Sequence, residues 1–230
     1  MALLTEQPLV SVIVPTHNRP AFLEKTLISI LNQSYKMLEV LIVSNGINDH
    51  NKAVVEKLNN PKLFYCHQEN SGGPASPRNH GMRKAKGKYL AFCDDDDLWM
   101  PEKLEKQIQA LEENPQYGLS YTKMRRFDDR MEWSIPHEAG ESTLQSLLYV
   151  NTIPISSVVI LKSLVNLHGG FSESSKVGAS EDYEFLLRYA LKTNYYFVDD
   201  YLIKYWSGNN RTTAVDSGRK VKNCLSYLKS

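Results

Sequence analysis

The sequence predicts an α/β fold built on a mostly parallel central sheet flanked by helices. Three observations carry this expectation: the continuous apolar, β-branched runs VSVIVP at 10–15 and EVLIV at 39–43, apolar residues at helical spacing between them, and a regular alternation of the two patterns up to about residue 100. A continuous apolar run reads as a strand buried on both faces. Strands that alternate with helices join through right-handed crossovers into a parallel sheet.

Taken in order, the first strand at 10–15 is broken by Asn18-Arg19-Pro20, and Phe22, Leu23, Leu27, Ile30 and Leu31 then recur at helical spacing. Strand 39–43 leads into Ser44-Asn45-Gly46, which reads as a turn. Residues 51–58 form a helix ended by Asn59-Asn60-Pro61, 62–67 a short third strand, 71–77 a Gly/Pro/Ser loop, and 78–86 a helix ending at Gly87. The fourth strand, KYLAFC at 88–93, runs directly into Asp94, Asp95, Asp96 and Asp97. A helix at 101–113 carries Pro101 near its first turn, where proline is tolerated. A strand at 119–127, a polar loop at 128–142, a helix at 143–149 and a strand at 156–161 follow. The remainder reads as a turn at Gly169-Gly170-Phe171, a helix at 182–191, a strand at 195–198 and a C-terminal helix within 216–230. One domain is expected, with an α/β half at 1–100, a second half at 101–215 and the terminal helix at 216–230.

At 230 residues and 42% apolar content the chain can bury a sizeable core. Its 27 basic and 26 acidic residues give a net charge of +1, so there is no electrostatic case for nucleic acid as the main partner. Cys66, Cys93 and Cys224 form neither a disulfide framework nor a zinc pattern, which points to a reducing compartment. The N-terminal stretch lacks the basic-then-apolar pattern of a signal peptide. The apolar runs fall well short of the about 20 residues that span a bilayer. A cytoplasmic protein is the expectation.

The acidic run is the most informative feature. A solvated acidic turn is its plain reading. Four like charges at the end of a buried strand are costly, however, unless something positive sits there. Hard divalent cations take carboxylate oxygens, and magnesium sites combine one or two carboxylates with substrate phosphates. Alternation along an extended chain puts Asp94 and Asp96 on one side. In parallel sheets ligands bind beyond the carboxyl ends of the strands, so 16–19, 44–46 and 94–97 converge on one edge.

With these segments in view the sequence resembles the family 2 inverting glycosyltransferases of the Rossmann-like GT-A fold. The resemblance runs through VSVIVPTHNR, ILNQSYKMLEVLIVSNG, NSGGPASPRNHGMRKAKGKYLAFCDDDDLWMPEKLEKQ, NTIPISSVVILKSLVNLHGGF and SEDYEFLLR, in that order. It implies a nucleotide-sugar-binding half at 1–100 and an acceptor-binding half at 101–215. Pro15, His17 and Asn45 would line the base pocket, within a nucleotide site that also includes Asn18, Arg19 and Arg78. Asp94 and Asp95 would contact the ribose and support the metal, Mn2+ or Mg2+. Asp96 would be the chief metal ligand, with Asp94 beside it. Asp182 would be the general base that takes the acceptor hydroxyl's proton, and Glu181 shares or takes that role in the alternative. For Asp182 the plainer reading is a carboxylate favoured by a helix N-terminus, and for His17 a packed or surface loop histidine.

The resemblance further implies a nucleotide-diphosphate sugar donor, a UDP-sugar first among them, a glycan or lipid-linked acceptor, and work at the inner face of the membrane in surface-polysaccharide synthesis. Two departures qualify it. Ser44-Asn45 stands where the family usually has an acidic pair that reads the nucleobase; Asn45 can still donate to and accept from a base. No histidine follows Tyr205-Trp206, where Arg211 could bind phosphate through its planar fork and Trp206 could form an acceptor wall or sit in the core. The tail around Arg219, Lys220 and Lys222 reads as a surface helix or, alternatively, as a weak membrane-surface association. Two other function classes compete. A nucleotidyltransferase would need a Gly-rich basic loop after the first strand, which VPTHNRPAF lacks. A non-catalytic nucleotide-sugar-binding module is the other.

Overall fold

A computed structural model of the chain describes residues 7–47, 49–134, 144–149 and 151–208. Strands β1 (Val10–Thr16), β2 (Leu38–Asn45), β3 (Leu63–Gln68) and β4 (Tyr89–Phe92) lie in the order β3-β2-β1-β4 and pair in parallel. Every residue of β1, β2 and β4 is buried, because helices cover both faces of this part of the sheet. On one face Val10, Val12 and Val14 share a cluster with Leu23, Leu27 and Ile30 of helix α1 (Pro20–Leu31). On the other, Ile13, Leu41 and Phe92 share a cluster with Met82 of helix α3 (Ala75–Lys84). Helix α2 (Asp49–Leu58) contributes Val54 and Val55 to the first cluster. A Cβ on Gly81 would lie 2.7 Å from Ile13 Cγ2, so only glycine lets α3 sit this close to β1.

Beyond β4 the sheet becomes mixed. β8 (Val159–Leu161) pairs antiparallel with β4, and β6 (Tyr117–Phe127) antiparallel with β8. β9 (Asn194–Trp206) runs parallel to β6, β5 (Leu98–Trp99) pairs antiparallel with β9, and β7 (Glu132–Trp133) with β6. Helix α4 (Lys103–Glu113) packs Leu104, Ile108 and Leu111 into the first cluster. Helix α7 (Glu181–Ala190) packs Tyr183, Phe185 and Leu186 into the second. α5 (Leu144–Leu147) and α6 (Lys162–His168) are short.

Several expected boundaries move. Ser44 and Asn45 belong to β2, because they pair with His67 and Gln68 of β3. α3 begins at Ala75 inside the expected loop: the Pro74 carbonyl accepts the Arg78 N–H at 3.1 Å, and Pro77 falls in the first turn, where a missing N–H costs nothing. β9 extends to Trp206, well past 198; Thr122 pairs with Val198 and Lys123 with Tyr201, so Asp199 and Asp200 interrupt the register. The acidic pair masked this continuation. β5, β7 and α6 were too short for a periodic signal. The expected helix at 216–230 lies outside the described residues.

Candidate active site

The carboxyl ends of β1, β2 and β4 open into a cleft of about 380 Å3. β1 and the turn after it contribute Pro15, Thr16, His17 and Arg19; β2 contributes Asn45; the β3–α3 connection contributes Asn70, Gly72, Gly73 and Pro74. Pro77 and Arg78 of α3, Asp94, Asp95 and Asp96 after β4, Ala179, Glu181 and Asp182 around the start of α7, and Tyr205 and Trp206 of β9 complete the wall. This is the sheet edge at which parallel topology collects ligands.

The acidic run leaves β4 as a tight turn in which the Asp97 N–H donates to the Asp94 carbonyl at 3.1 Å. Ser156 Oγ accepts the Asp94 N–H at 3.0 Å, and the Thr26 hydroxyl of α1 reaches the Asp95 and Asp97 carbonyls at 3.0 and 2.9 Å. The turn is thus fixed from two sides, and its four carboxylates diverge. Asp94 accepts from Arg78 Nη2 at 2.6 Å, Asp95 from the Thr16 hydroxyl at 2.7 Å, and Asp96 from Arg19 Nη1 at 2.7 Å. Asp97 accepts the Trp206 backbone N–H at 2.9 Å, and its Oδ2 has no hydrogen-bond partner among the described residues.

Charge in this turn is undercompensated. Burial pushes the Asp95 carboxyl up to about 7 against the pull of Thr16. Burial and the Asp94 charge raise Asp96, although Arg19 opposes them, and burial with both neighbours holds Asp97 well above the carboxylate range. Among the described residues no group of three or more His, Cys, Asp or Glu makes a ready metal cage. What the cleft does offer is the pair Asp94 and Asp96, with side chains 31% and 17% exposed. One or two hard carboxylates completed by phosphate oxygens suit magnesium or manganese, and an added cation would relieve the repulsion that helps raise the Asp96 carboxyl. The donor set therefore fits a divalent ion.

Across the cleft, α7 begins with Glu181 and Asp182. Glu181 is 6% exposed and accepts from Arg78 Nη1 at 2.8 Å; burial and then the Asp182 charge raise its carboxyl. Asp182 is half-buried, and its Oδ1 accepts the Tyr183 N–H at 2.7 Å. Arg78, 2% exposed, spans the gap between Asp94 and Glu181. Burial alone would lower its basicity, but the two carboxylates outweigh it and the guanidinium stays charged.

At the other end His17 Nδ1 lies 2.6 Å from the Asn45 carbonyl, which can only accept, so Nδ1 is the donor. The Asn45 carboxamide is fully engaged: Nδ2 donates to Asn70 Oδ1 and the Gly73 carbonyl, and Oδ1 accepts from Gln68 and Ser71. Trp206 lines the cleft yet is 7% exposed, packed edge-on between Phe22 and Phe127 at 5.0 and 5.2 Å, so it is chiefly a core residue. Asn18, exposed with φ 53°, is not among the lining residues, and Arg211 lies outside the described residues. The other site residues expected from the sequence meet in this one cleft. Asn70, Gly72, Gly73, Pro74 and Tyr205 were not anticipated; the parallel pairing of β2 with β3 puts the 69–74 connection on the same edge, and that signal was available in the strand order.

The model of the family described as Glycosyl transferase family 2 matches residues 11–164. An uncharacterized glycosyltransferase of Haemophilus influenzae is 33% identical over 184 residues, covering 78% of this chain and 61% of that protein. A putative teichuronic acid biosynthesis glycosyltransferase, TuaG, of Bacillus subtilis is 35% identical over 109 residues, 46% of this chain and 43% of that one. The chain thus spans less than two thirds of the length of these curated relatives. Among solved structures, S. aureus TarS 1–349 in complex with UDP-GlcNAc has a TM-score of 0.74 at 21% identity, covering 96% of this chain and 71% of that one. The mannosyltransferase PcManGT from Pyrobaculum calidifontis, in complex with GDP-Man and Mn2+, has a TM-score of 0.68 at 22% identity, covering 87% and 57%. At those identities both establish the GT-A fold.

Proposed function

Given that the chain belongs to glycosyl transferase family 2, we propose that it moves a sugar from a nucleoside-diphosphate sugar to an acceptor hydroxyl with inversion at the anomeric carbon. A UDP-sugar is the first donor to consider, because a structural neighbour was solved with UDP-GlcNAc. The acceptor is a glycan or a lipid-linked glycan, and the product feeds surface-polysaccharide synthesis, in keeping with the name of the Bacillus relative. Work at the inner face of the membrane needs no span of its own; no helix among the described residues is long and apolar enough to cross a membrane.

The observation that carries this reading is the convergence of the Asp94–Asp96 turn and Asp182 on one cleft at the carboxyl edge of the sheet. Pro15, His17 and the 70–74 connection form the base end. Asp96, with Asp94 beside it, would hold Mn2+ or Mg2+, which when bound would stabilise the charge developing on the leaving diphosphate. Asp182 takes the proton from the acceptor hydroxyl as it attacks the face of the sugar opposite the diphosphate. Glu181 is the weaker candidate for that task, being ion-paired and more buried than Asp182.

The test is release of free nucleoside diphosphate from a panel of nucleotide sugars with manganese and water as acceptor. Slow turnover of one donor, suppressed by a chelator, is the expected result. A folded chain that binds no donor at all would sink the proposal and favour a module without catalytic function.

A further inference from the structure

Resting on the reading of Asp182 as the base, we propose that Arg78 and Glu181 are positioning residues: together they form a strut that fixes Asp182 relative to the acidic end of β4. Arg78 accordingly does not grip the nucleotide. Its guanidinium is 2% exposed, and both terminal nitrogens are engaged, Nη2 with Asp94 at 2.6 Å and Nη1 with Glu181 at 2.8 Å. Nε has no hydrogen-bond partner among the described residues, so the group is tied at its fork alone. A planar fork is suited to holding two carboxylates in fixed directions.

The strut joins elements far apart in sequence. Glu181 is 103 residues from Arg78 and is the first residue of α7; Asp182 is the second. Holding Glu181 therefore holds the first turn of α7, and the base travels with that turn. The other end rests on a firm support, since α3 packs through Gly81 directly onto Ile13 of β1. Glu181 is the poorer candidate for the base: it is 6% exposed and its Oε1 faces a permanent cation. Removing Arg78 leaves the buried Glu181 carboxylate without its counter-charge, while removing Glu181 leaves Arg78 with Asp94 alone; in either case the turn that carries Asp182 loses its anchor.

The experiment uses the whole chain with manganese and either UDP-GlcNAc or GDP-mannose, whichever the wild type hydrolyses. Glu181→Ala is expected to lower kcat about 100-fold, the cost of a misplaced reacting group. Its donor Kd should stay within about twofold of wild type, since Asp94 keeps its bond to Arg78. Glu181→Gln, whose amide oxygen still accepts from Arg78, should recover most of the rate. Arg78→Lys, which cannot serve both carboxylates, should share the kcat loss, and it carries the comparison should Glu181→Ala fail to fold by thermal melting. The double variant should be no slower than the slower single one. Wild-type kcat in Glu181→Ala, Glu181→Gln as slow as Glu181→Ala, or donor Kd weakening in step with kcat would each overturn the strut. Asp182→Asn is read separately: wild-type turnover there removes the base reading itself.

Discussion

The Asn45 carboxamide turns toward Ser71, accepting its backbone N–H at 3.0 Å and its hydroxyl at 3.1 Å. The same amide donates to Asn70 Oδ1 and to the Gly73 carbonyl, so one side chain braces the connection that forms the base end of the cleft. Asn45→Asp keeps the acceptor but loses both donations and points negative charge at two oxygens. We expect a loss of about 1–3 kcal/mol in unfolding free energy, read from urea curves, together with weaker donor binding by calorimetry. A variant that bound donor more tightly would show position 45 reading the base directly.

Asp96 and Asp182 have different tasks and should fail differently. Asp96→Ala is expected to abolish metal-dependent donor binding, since it removes the chief carboxylate offered to the ion. Asp182→Asn should leave donor affinity near wild type and lower turnover about 100- to 10,000-fold, the usual contribution of a positioned base. Calorimetry with donor and manganese, beside a turnover assay, separates the two.

Much of the site was legible because it follows from topology. Buried runs at 10–15, 39–43 and 88–93 imply parallel strands, and parallel strands deliver Thr16, Asn45 and Asp94 to one edge. What the sequence did not disclose was the partner of each polar group. Asn45 stands where a base reader was expected and is engaged by the 70–73 connection, and Arg78, expected on the nucleotide, bridges Asp94 and Glu181. Such pairings join residues tens of positions apart and leave no local periodicity. The short strands β5 and β7 and the interruption at Asp199-Asp200 were hidden for the same reason: too few residues show a pattern, and acidic side chains at an exposed register break look like a loop.

Thr16 gives Asp95 its shortest hydrogen bond, at 2.7 Å, yet burial still raises that carboxyl to about 7. A carboxyl whose folded pKa lies above its unfolded value favours the folded state while protonated. That stability is present below about pH 4 and is lost as pH rises through about 7. In metal-free protein, Asp95→Asn should therefore gain Tm relative to wild type between pH 4 and 7. Thr16→Val removes a bond that favours the charged form and should extend the decline to higher pH. Parallel melting curves for Asp95→Asn and wild type across this range would refute the argument.

Lys103 presents the opposite sign. It is fully buried, donates to Gln107 Oε1 at 2.7 Å and lies over Trp99 with Nζ 4.0 Å from the ring centroid. Burial lowers its pKa from 10.5 to about 7. Between those two values the unfolded chain binds the proton and the folded chain does not, so folding gains stability as pH rises, by up to about 1.4 kcal/mol per pH unit. Lys103→Met abolishes this linkage while leaving Gln107 Oε1 without its donor. Whatever the variant's Tm at pH 7, the difference between variant and wild type should therefore shift in favour of wild type from pH 7 to pH 10. A difference that stays constant over that range would mean Lys103 keeps its proton in the folded protein, held by the Trp99 ring and Gln107.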